Sequence, residues 1–357
     1  MREAKAGSRQ RQRTAQPGAD ICLDNARPGG SSKIWRHLHW IATPTRPYPQ
    51  EVSSVIAPPL PSNDAKPVTL GSKVGAYVAL TKPRIIELLL ISTVPTMVVA
   101  QRGLPSLWLM VATVLGGMFS AGGANAINMY VDRDIDALMD RTKNRPLVTG
   151  VIEPRSALIF AISLEVIAFF FLWRFVNLLS AVLAVSACLF YVFVYTLWLK
   201  RTSRSNIVIG GAAGAVPVLI GWTSVTNDLS WAPILLFAVM FMWTPPHFWA
   251  LAIKYKDDYS RADVPMLPSV ASPESVARQI LLYTVAVVGL SLWFGPVARL
   301  GWIYMVSASL CGAGFIYFAL KVWQTMTAKS AMRLFTFSIT YVTLLFGAMA
   351  VDQLVGW

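Results

Sequence analysis

The sequence predicts an all-α, polytopic membrane protein of about nine transmembrane helices; that they surround a central cavity open to the cytoplasm is expected from the two acidic loops taken up below, which one ligand would need together. Three observations lead to the helices. Of 357 residues, 55% are hydrophobic and only 14% charged, whereas soluble chains carry about 25% charged residues. From residue 85 onward, apolar stretches recur at about the 20-residue length that crosses a hydrocarbon core. The loops between those stretches alternate in positive charge, as loops on opposite membrane faces do.

The N-terminal segment, residues 1–70, is a separate domain of different character. It holds nine prolines and 10 of the chain's 31 Lys and Arg residues. No apolar run there exceeds a few positions, so it cannot bury enough surface to offset ordering entropy, and it is expected to be disordered. It lacks the apolar core of a secretory signal peptide. Nine prolines and five acidic residues also argue against an amphipathic targeting helix. An organelle transit peptide and a start codon placed too far upstream both stay open.

Residues 71–357 form the membrane domain. Its spans are expected near 85–101, 107–127, 157–175, 180–199, 206–225, 231–252, 279–297, 302–322 and 334–356. Alternate loops place 18 Lys and Arg residues on one side and only Arg102, Arg174 and Arg299 on the other. That asymmetry puts the N-terminus in the cytoplasm and, with an odd number of spans, the C-terminus outside. The net charge of +13 then belongs to loops facing anionic lipid head groups, and no nucleic-acid partner is needed to explain it. Cys22, Cys188 and Cys311 are far apart, two of them inside spans, so they suggest neither a disulfide framework nor a metal cluster. Cys188 and Cys311 read as small apolar packing residues.

Two long loops on the cytoplasmic side, 132–156 and 254–276, carry the candidate chemistry. At the end of the second span Asn128, Asp132, Asp136 and Asp140 recur every fourth residue, which stacks them on one helix face. Like charges at that spacing repel, so the ladder is suited to a cation, and replacing Asp132 or Asp136 by Ala is expected to leave stability unchanged or higher. Carboxylate and amide oxygens suit Mg²⁺, which takes one or two carboxylates and fills its other positions with water and phosphate oxygens. Arg141, Lys143 and Arg145 follow directly and can hold the outer phosphate oxygens. Asp134 points about a third of a turn away and reads as structural. The competing reading is a merely solvated loop. That the ladder starts at Asn128, inside an apolar helix, favours the metal site.

The sixth span repeats the design. It opens into Asp257 and Asp258, flanked by Lys254, Lys256 and Arg261. Two acidic clusters on one side can hold metal ions bridging one diphosphate, which neutralises charge on a departing group. Within this span His247 follows Pro245-Pro246, a pair expected to interrupt the helix. An intramembrane histidine is a candidate ligand or proton-handling group. It can equally be a neutral ring bonded to a backbone carbonyl that the prolines free. Glu87, near the cytoplasmic boundary, is expected to pair with a cation. Glu165, mid-span, is expected to be protonated or paired, with no partner evident.

The ladder at 128–136, followed by Arg-Thr-Lys-Asn-Arg-Pro-Leu at 141–147, resembles the first signature of the UbiA-type intramembrane prenyltransferases. Leu80-Thr-Lys-Pro-Arg84, the run Trp-Thr-Pro-Pro-His-Phe-Trp-Ala-Leu-Ala at 243–252, Asp258-Tyr259 and Val-Pro-Met-Leu-Pro at 264–268 look like the branch of that family that farnesylates heme. The resemblance extends from about residue 75 to the C-terminus. The segment before residue 70 has no counterpart in it, and Ser269 stands where an apolar residue is usual. It implies nine helices, two cytoplasmic aspartate-rich motifs, and Mg²⁺-dependent transfer of farnesyl from farnesyl diphosphate to a vinyl group of heme b. Catalysis would fall to Asn128, Asp132, Asp136 and Asp258, with Asn128, Asp132, Asp136, Asp257 and Asp258 as metal ligands. Arg141, Lys143, Arg145 and Lys254 would bind diphosphate, and His247 would seat heme as an axial ligand or hydrogen-bond donor. The setting it implies is a bacterial cell membrane, with contact to heme–copper oxidase assembly or a heme A synthase. A quinone precursor or another tetrapyrrole is the alternative acceptor. A transporter would put ionisable groups mid-membrane at broken helices, and a scaffold would need neither acidic cluster.

Overall fold

The structure, a computed structural model, describes residues 70–355. The expectation of disorder before residue 70 lies outside the described residues, as do the side chains of residues 84–90, Arg84 and Glu87 among them.

Nine long helices occupy the nine expected stretches: α2 (Pro83–Gln101), α3 (Leu107–Val131), α5 (Pro154–Phe175), a continuous helix over Leu178–Thr202, α8 (Asn206–Thr226), α9 (Trp231–Lys254), α12 (Pro273–Ala298), α13 (Trp302–Thr325) and α14 (Ala328–Val355). Among the described residues, eight of these are long and apolar enough to cross a membrane. In the ninth, α2, the stretch among the described residues that is apolar is Ile91–Gln101. Four short helices complete the set: α1 (Leu70–Thr81), α4 (Arg133–Leu138), α10 (Lys256–Arg261) and α11 (Leu267–Val270).

Local sequence explains the ends. Pro83, Pro154 and Pro273 open α2, α5 and α12, where a missing N–H costs nothing and φ is already helical. Ser106 and Ser272 cap α3 and α12 by accepting from the N–H of Leu109 (3.2 Å) and Ser275 (3.3 Å). The Leu178–Thr202 helix comprises α6 (Leu178–Leu189), a π-helical stretch Phe190–Leu199 and α7 (Lys200–Thr202). π-Helical turns are rare and often sit at functional sites.

One expectation is corrected. Pro245-Pro246 does not interrupt α9, which runs unbroken to Lys254. Two proline rings remove two N–H donors, yet the helix persists because neighbouring helices surround it, as transmembrane helices allow. Both prolines are buried.

Each long helix packs on the next, and α14 returns to α2, so the nine close into a ring, with further contacts of α2 with α8 and α9 with α14. Glycines permit the closest approaches. A Cβ at Gly221 of α8 would lie 2.7 Å from the Thr93 carbonyl of α2, and one at Gly123 of α3 would lie 2.9 Å from the Ala161 carbonyl of α5. Outward faces are apolar: Ile159, Ile162, Val166, Phe170 and Trp173 form one exposed stripe of α5 at helical spacing. The largest buried cluster, including Trp243, Phe294, Tyr304, Phe315 and Phe346, fills the space between α9 and α12–α14. A cavity of roughly 370 Å³ sits instead within α2, α3, the Leu178–Thr202 helix, α8 and α9.

Candidate active site

The acidic ladder begins in the last turn of α3 and continues through α4. Asp132 caps one helix and precedes the next, so Asn128, Asp132 and Asp136 keep their helical stacking and all three are buried. Each is held by a cation from elsewhere in the chain. Lys82 donates to Asn128 Oδ1 at 2.9 Å. Lys200 pairs with Asp132 Oδ2, which also accepts from Asn128 Nδ2 at 2.6 Å. Arg145 pairs with Asp136 Oδ2 at 2.5 Å. Asn128 Nδ2 also donates to Thr196 Oγ1 at 3.2 Å. The remaining oxygen, Asp132 Oδ1, is buried without a hydrogen bond, and Arg201 Nη2 stands 3.7 Å away.

Electrostatics separate the members of this group. Burial raises the Asp136 carboxyl above the usual carboxylate range, and Arg145 only partly offsets it. Burial would also raise Asp134, but the Arg201 guanidinium, donating to both its oxygens at 2.6 and 2.7 Å, outweighs that and holds it low. Asp134 is thus an ion-pair anchor for Arg201, the structural role its position suggested. Lys82, in the left-handed region with φ 54°, is brought down to about 7 by burial and then by the charges of Arg145 and Lys200. A non-glycine residue in that region marks local strain, which collects at functional sites.

The second acidic loop is tied to the first. Arg261 pairs with Asp258 of its own helix and with Asp140 of the ladder at 2.7 Å. Arg141 donates to the Tyr259 hydroxyl at 3.2 Å and lies over the rings of Tyr255 and Tyr259, at 5.5 and 5.4 Å. Hydrogen bonds from Arg261 and Lys143 hold the exposed Asp140 carboxyl below its usual range.

The cavity opens at this charged end and runs into the helices. Its polar rim includes Lys82, Asn128, Asp136, Arg141, Arg145 and Lys200. Inside, the wall is mostly small and apolar, with Ala121, Ala124, Ala187, Gly214 and Val216. Among the predicted site residues, Asp132 lies buried behind the rim, Asp258 sits at the Arg261 bridge, and Lys143, Lys254 and Asp257 stay on the exposed surface. His247 is not among the residues lining the cavity. Its ring is stacked between Trp243 (4.2 Å) and Phe335 (4.5 Å), and Nδ1 shares a 2.7 Å hydrogen bond with the Ser338 hydroxyl. Its partner is therefore a side chain of α14 and not a carbonyl freed by the prolines.

Sequence reasoning gave no site role to Lys82, Lys200 or Arg201: Lys82 entered within the Leu80–Arg84 resemblance and as loop charge, the other two as loop charge alone. It assigned nothing to Tyr191 and Tyr195, which line the cavity and stack at 5.2 Å. The π-helical stretch aims these tyrosines inward while Lys200 reaches Asp132, a register that no residue spacing announces. Glu165 also gains a partner: it accepts from Ser120 Oγ at 3.1 Å.

The residues fit a magnesium ion. Their donors are all hard oxygens, one of them the buried, unbonded Asp132 Oδ1. Among the described residues no three His, Cys, Asp or Glu side chains group closely enough to hold a metal alone. Mg²⁺ needs only one or two carboxylates when phosphate completes its shell.

A ring of helices with this charged mouth is an integral-membrane prenyltransferase architecture. Residues 89–344 match the model of the UbiA prenyltransferase family, and the chain belongs to that family. More particular relatives are named protoheme IX farnesyltransferase. That of Streptomyces avermitilis is 56% identical over 79% of this chain and 94% of its own length. That of Saccharopolyspora erythraea, protoheme IX farnesyltransferase 1, is 51% identical over 84% of this chain and 97% of its own. Solved structures share the fold at low identity. A digeranylgeranylglyceryl phosphate synthase matches at TM-score 0.67 and 17% identity, over 79% of this chain and 99% of its own. A UbiA homologue of Archaeoglobus fulgidus bound to GPP and Mg²⁺ matches at TM-score 0.52 and 16% identity, over 77% and 99%.

Proposed function

We propose that this chain transfers the farnesyl group of farnesyl diphosphate to a vinyl group of heme b, making heme O for heme–copper oxidases. The observation that carries the diphosphate half is the cavity: a cationic and carboxylate rim joined to a greasy interior, matching a substrate with a charged head and an apolar tail. The heme half rests on relatives of that name aligned over nine-tenths of their length.

Asn128, Asp132 and Asp136 would hold Mg²⁺, with Asp258 and Asp257 serving the second loop. Bound there, the ion supplies positive charge against the departing diphosphate. Arg141 and Arg145 grip its oxygens, with Lys143 and Lys254 at the entrance and Lys82 and Lys200 on the rim. The C1–O bond breaks with its electron pair leaving on diphosphate. The vinyl π pair then forms the new carbon–carbon bond to C1. Water adds to the positive carbon left beside the porphyrin ring and loses a proton, giving a hydroxyethylfarnesyl chain. Protein dipoles and cations fixed around the leaving group are the main source of rate. His247 would present Nε2 to heme, since Nδ1 is engaged by Ser338.

In this reading the charged end faces the cytoplasm of a bacterial cell, the C-terminus lies outside, and product passes to a heme A synthase or to oxidase assembly. Purified protein incubated with farnesyl diphosphate, heme b and Mg²⁺ should yield heme O by mass, and EDTA should stop it. Transfer to a quinone precursor with none to heme would refute the acceptor assignment.

A further inference from the structure

We infer that Gly214, with the floor formed by Gly117, Ser92 and Ile220, sets the length of prenyl chain the cavity accepts; the inference rests on the prenyl-diphosphate reading above. Three glycines of α8 line the cavity, and two of them have packing reasons to be glycine. A Cβ at Gly210 would run into the Tyr195 ring, and one at Gly211 would lie 2.9 Å from the Thr244 side chain. At Gly214 a Cβ would meet nothing within 4 Å. That glycine forgoes helix propensity with no neighbour demanding it, and what it leaves open is the cavity itself.

Depth gives the space a meaning. Gly214 lies seven residues into α8 from Ile207 at the charged end, roughly 10 Å at the helical rise. Gly117 lies eleven residues into α3 from Asn128, roughly 16 Å. Ser92 of α2 and Ile220 of α8 line the same cavity, and Ile220 is closed off behind by Leu172, Ala181 and Ala184. An extended carbon chain advances about 1.2 Å per bond, a third of the span of one extended residue. From C1, a geranyl main chain reaches about 8 Å, farnesyl about 13 Å and geranylgeranyl about 18 Å on that scale. Geranyl therefore stops short of Gly214, farnesyl passes it and ends above the floor, and geranylgeranyl overruns the floor.

The test uses the full-length protein with Mg²⁺ and heme b, comparing geranyl, farnesyl and geranylgeranyl diphosphates by product mass. A Cβ at Gly214 meets nothing within 4 Å, so Gly214→Ala is the variant that keeps the fold and gives the smaller step, and Gly214→Leu, checked for unchanged Tm, gives the larger one. In Gly214→Leu, kcat/KM for farnesyl should fall roughly 10–200-fold, the range of discrimination that apolar pockets achieve, with geranyl unchanged within about twofold. Gly214→Ala should fall between. Equal losses for both substrates, or no loss for farnesyl, would overturn the assignment while leaving the transferase reading intact. If the unaltered protein transfers no prenyl group to heme, the parent reading fails and takes this one with it.

Discussion

The Asp132–Lys200 pair tests the physical account of the ladder most directly, because structure and spacing predict opposite signs. Spacing treats Asp132 as one of several repelling carboxylates, so removing it should gain a few tenths of a kcal/mol. In the structure its side chain is fully buried, paired with Lys200, bonded by Asn128 and faced by Arg201. Asp132→Ala leaves Lys200 without its counter-charge, while Arg201 keeps Asp134, and breaking a buried pair costs about 3–5 kcal/mol. Lys200 keeps 14% of its side chain exposed and can partly rehydrate, so the low end, about 3 kcal/mol, is expected. At about 2.1 cal/mol/K of unfolding entropy per residue, a chain of this size would show an apparent Tm lower by roughly 4–5 °C. Asp132→Leu combined with Lys200→Met should recover most of the loss, since an apolar pair can replace a buried ionic one. Asp136→Asn provides the contrast: burial already disfavours its charged form, so this change should cost less. Thermal unfolding in detergent, followed by tryptophan fluorescence and by aggregation, gives the cycle. An Asp132→Ala protein as stable as the parent, or a double variant no better than the single, would refute the reasoning. Transfer should fall by about 10²–10³ in every Asp132 variant.

Three further outcomes follow from named contacts. Arg261→Ala frees the second acidic loop from Asp140 and Asp258; all three groups are near the surface, so Tm should hold while kcat/KM drops on the order of tenfold through lost alignment, and an unchanged rate would show that the bridge is incidental. His247→Ala should weaken heme binding and move the Soret band of bound heme, with farnesyl diphosphate binding retained; Ser338→Ala, which removes the Nδ1 partner, should give a smaller shift of the same kind. An unchanged Soret band and heme turnover in His247→Ala would return the ring to a packing role between Trp243 and Phe335. Deleting Leu197 from the π-helical stretch would restore α register and swing Tyr191 and Tyr195 away from the cavity relative to Lys200. Inserted, folded protein without transfer activity is the expected result, and retained activity would mean that the register is immaterial.

The parts of this molecule governed by local rules were legible in its sequence. Nine apolar stretches became nine long helices because hydrophobic length is a property of contiguous residues. The ladder stayed on one face because fourfold spacing is likewise local. Pro245-Pro246 misled because a proline's effect depends on what surrounds the helix, and α9 is packed on both flanks. His247 and Glu165 were flagged as buried ionisable groups, but their partners, Ser338 and Ser120, lie 91 and 45 residues away in sequence. No spacing rule reaches that far.

Basic residues were the least readable, and for an instructive reason. Eighteen of them on one side were read as a topological signal. Six of those same residues, Lys82, Lys143, Arg145, Lys200, Arg201 and Arg261, are ion-paired or hydrogen-bonded to Asn128 or to carboxylates of the two acidic loops. They answer side chains of the site, the buried Asn128, Asp132 and Asp136 and the exposed Asp140 among them. Setting them aside leaves twelve against three, so the charge asymmetry itself does not depend on the paired residues. The two roles coincide because a charged substrate head must be bound where its greasy tail can still enter the membrane, which is the rim of the helical ring. A cation there serves orientation and site together, and only its distance to a carboxylate tells which role holds it in place.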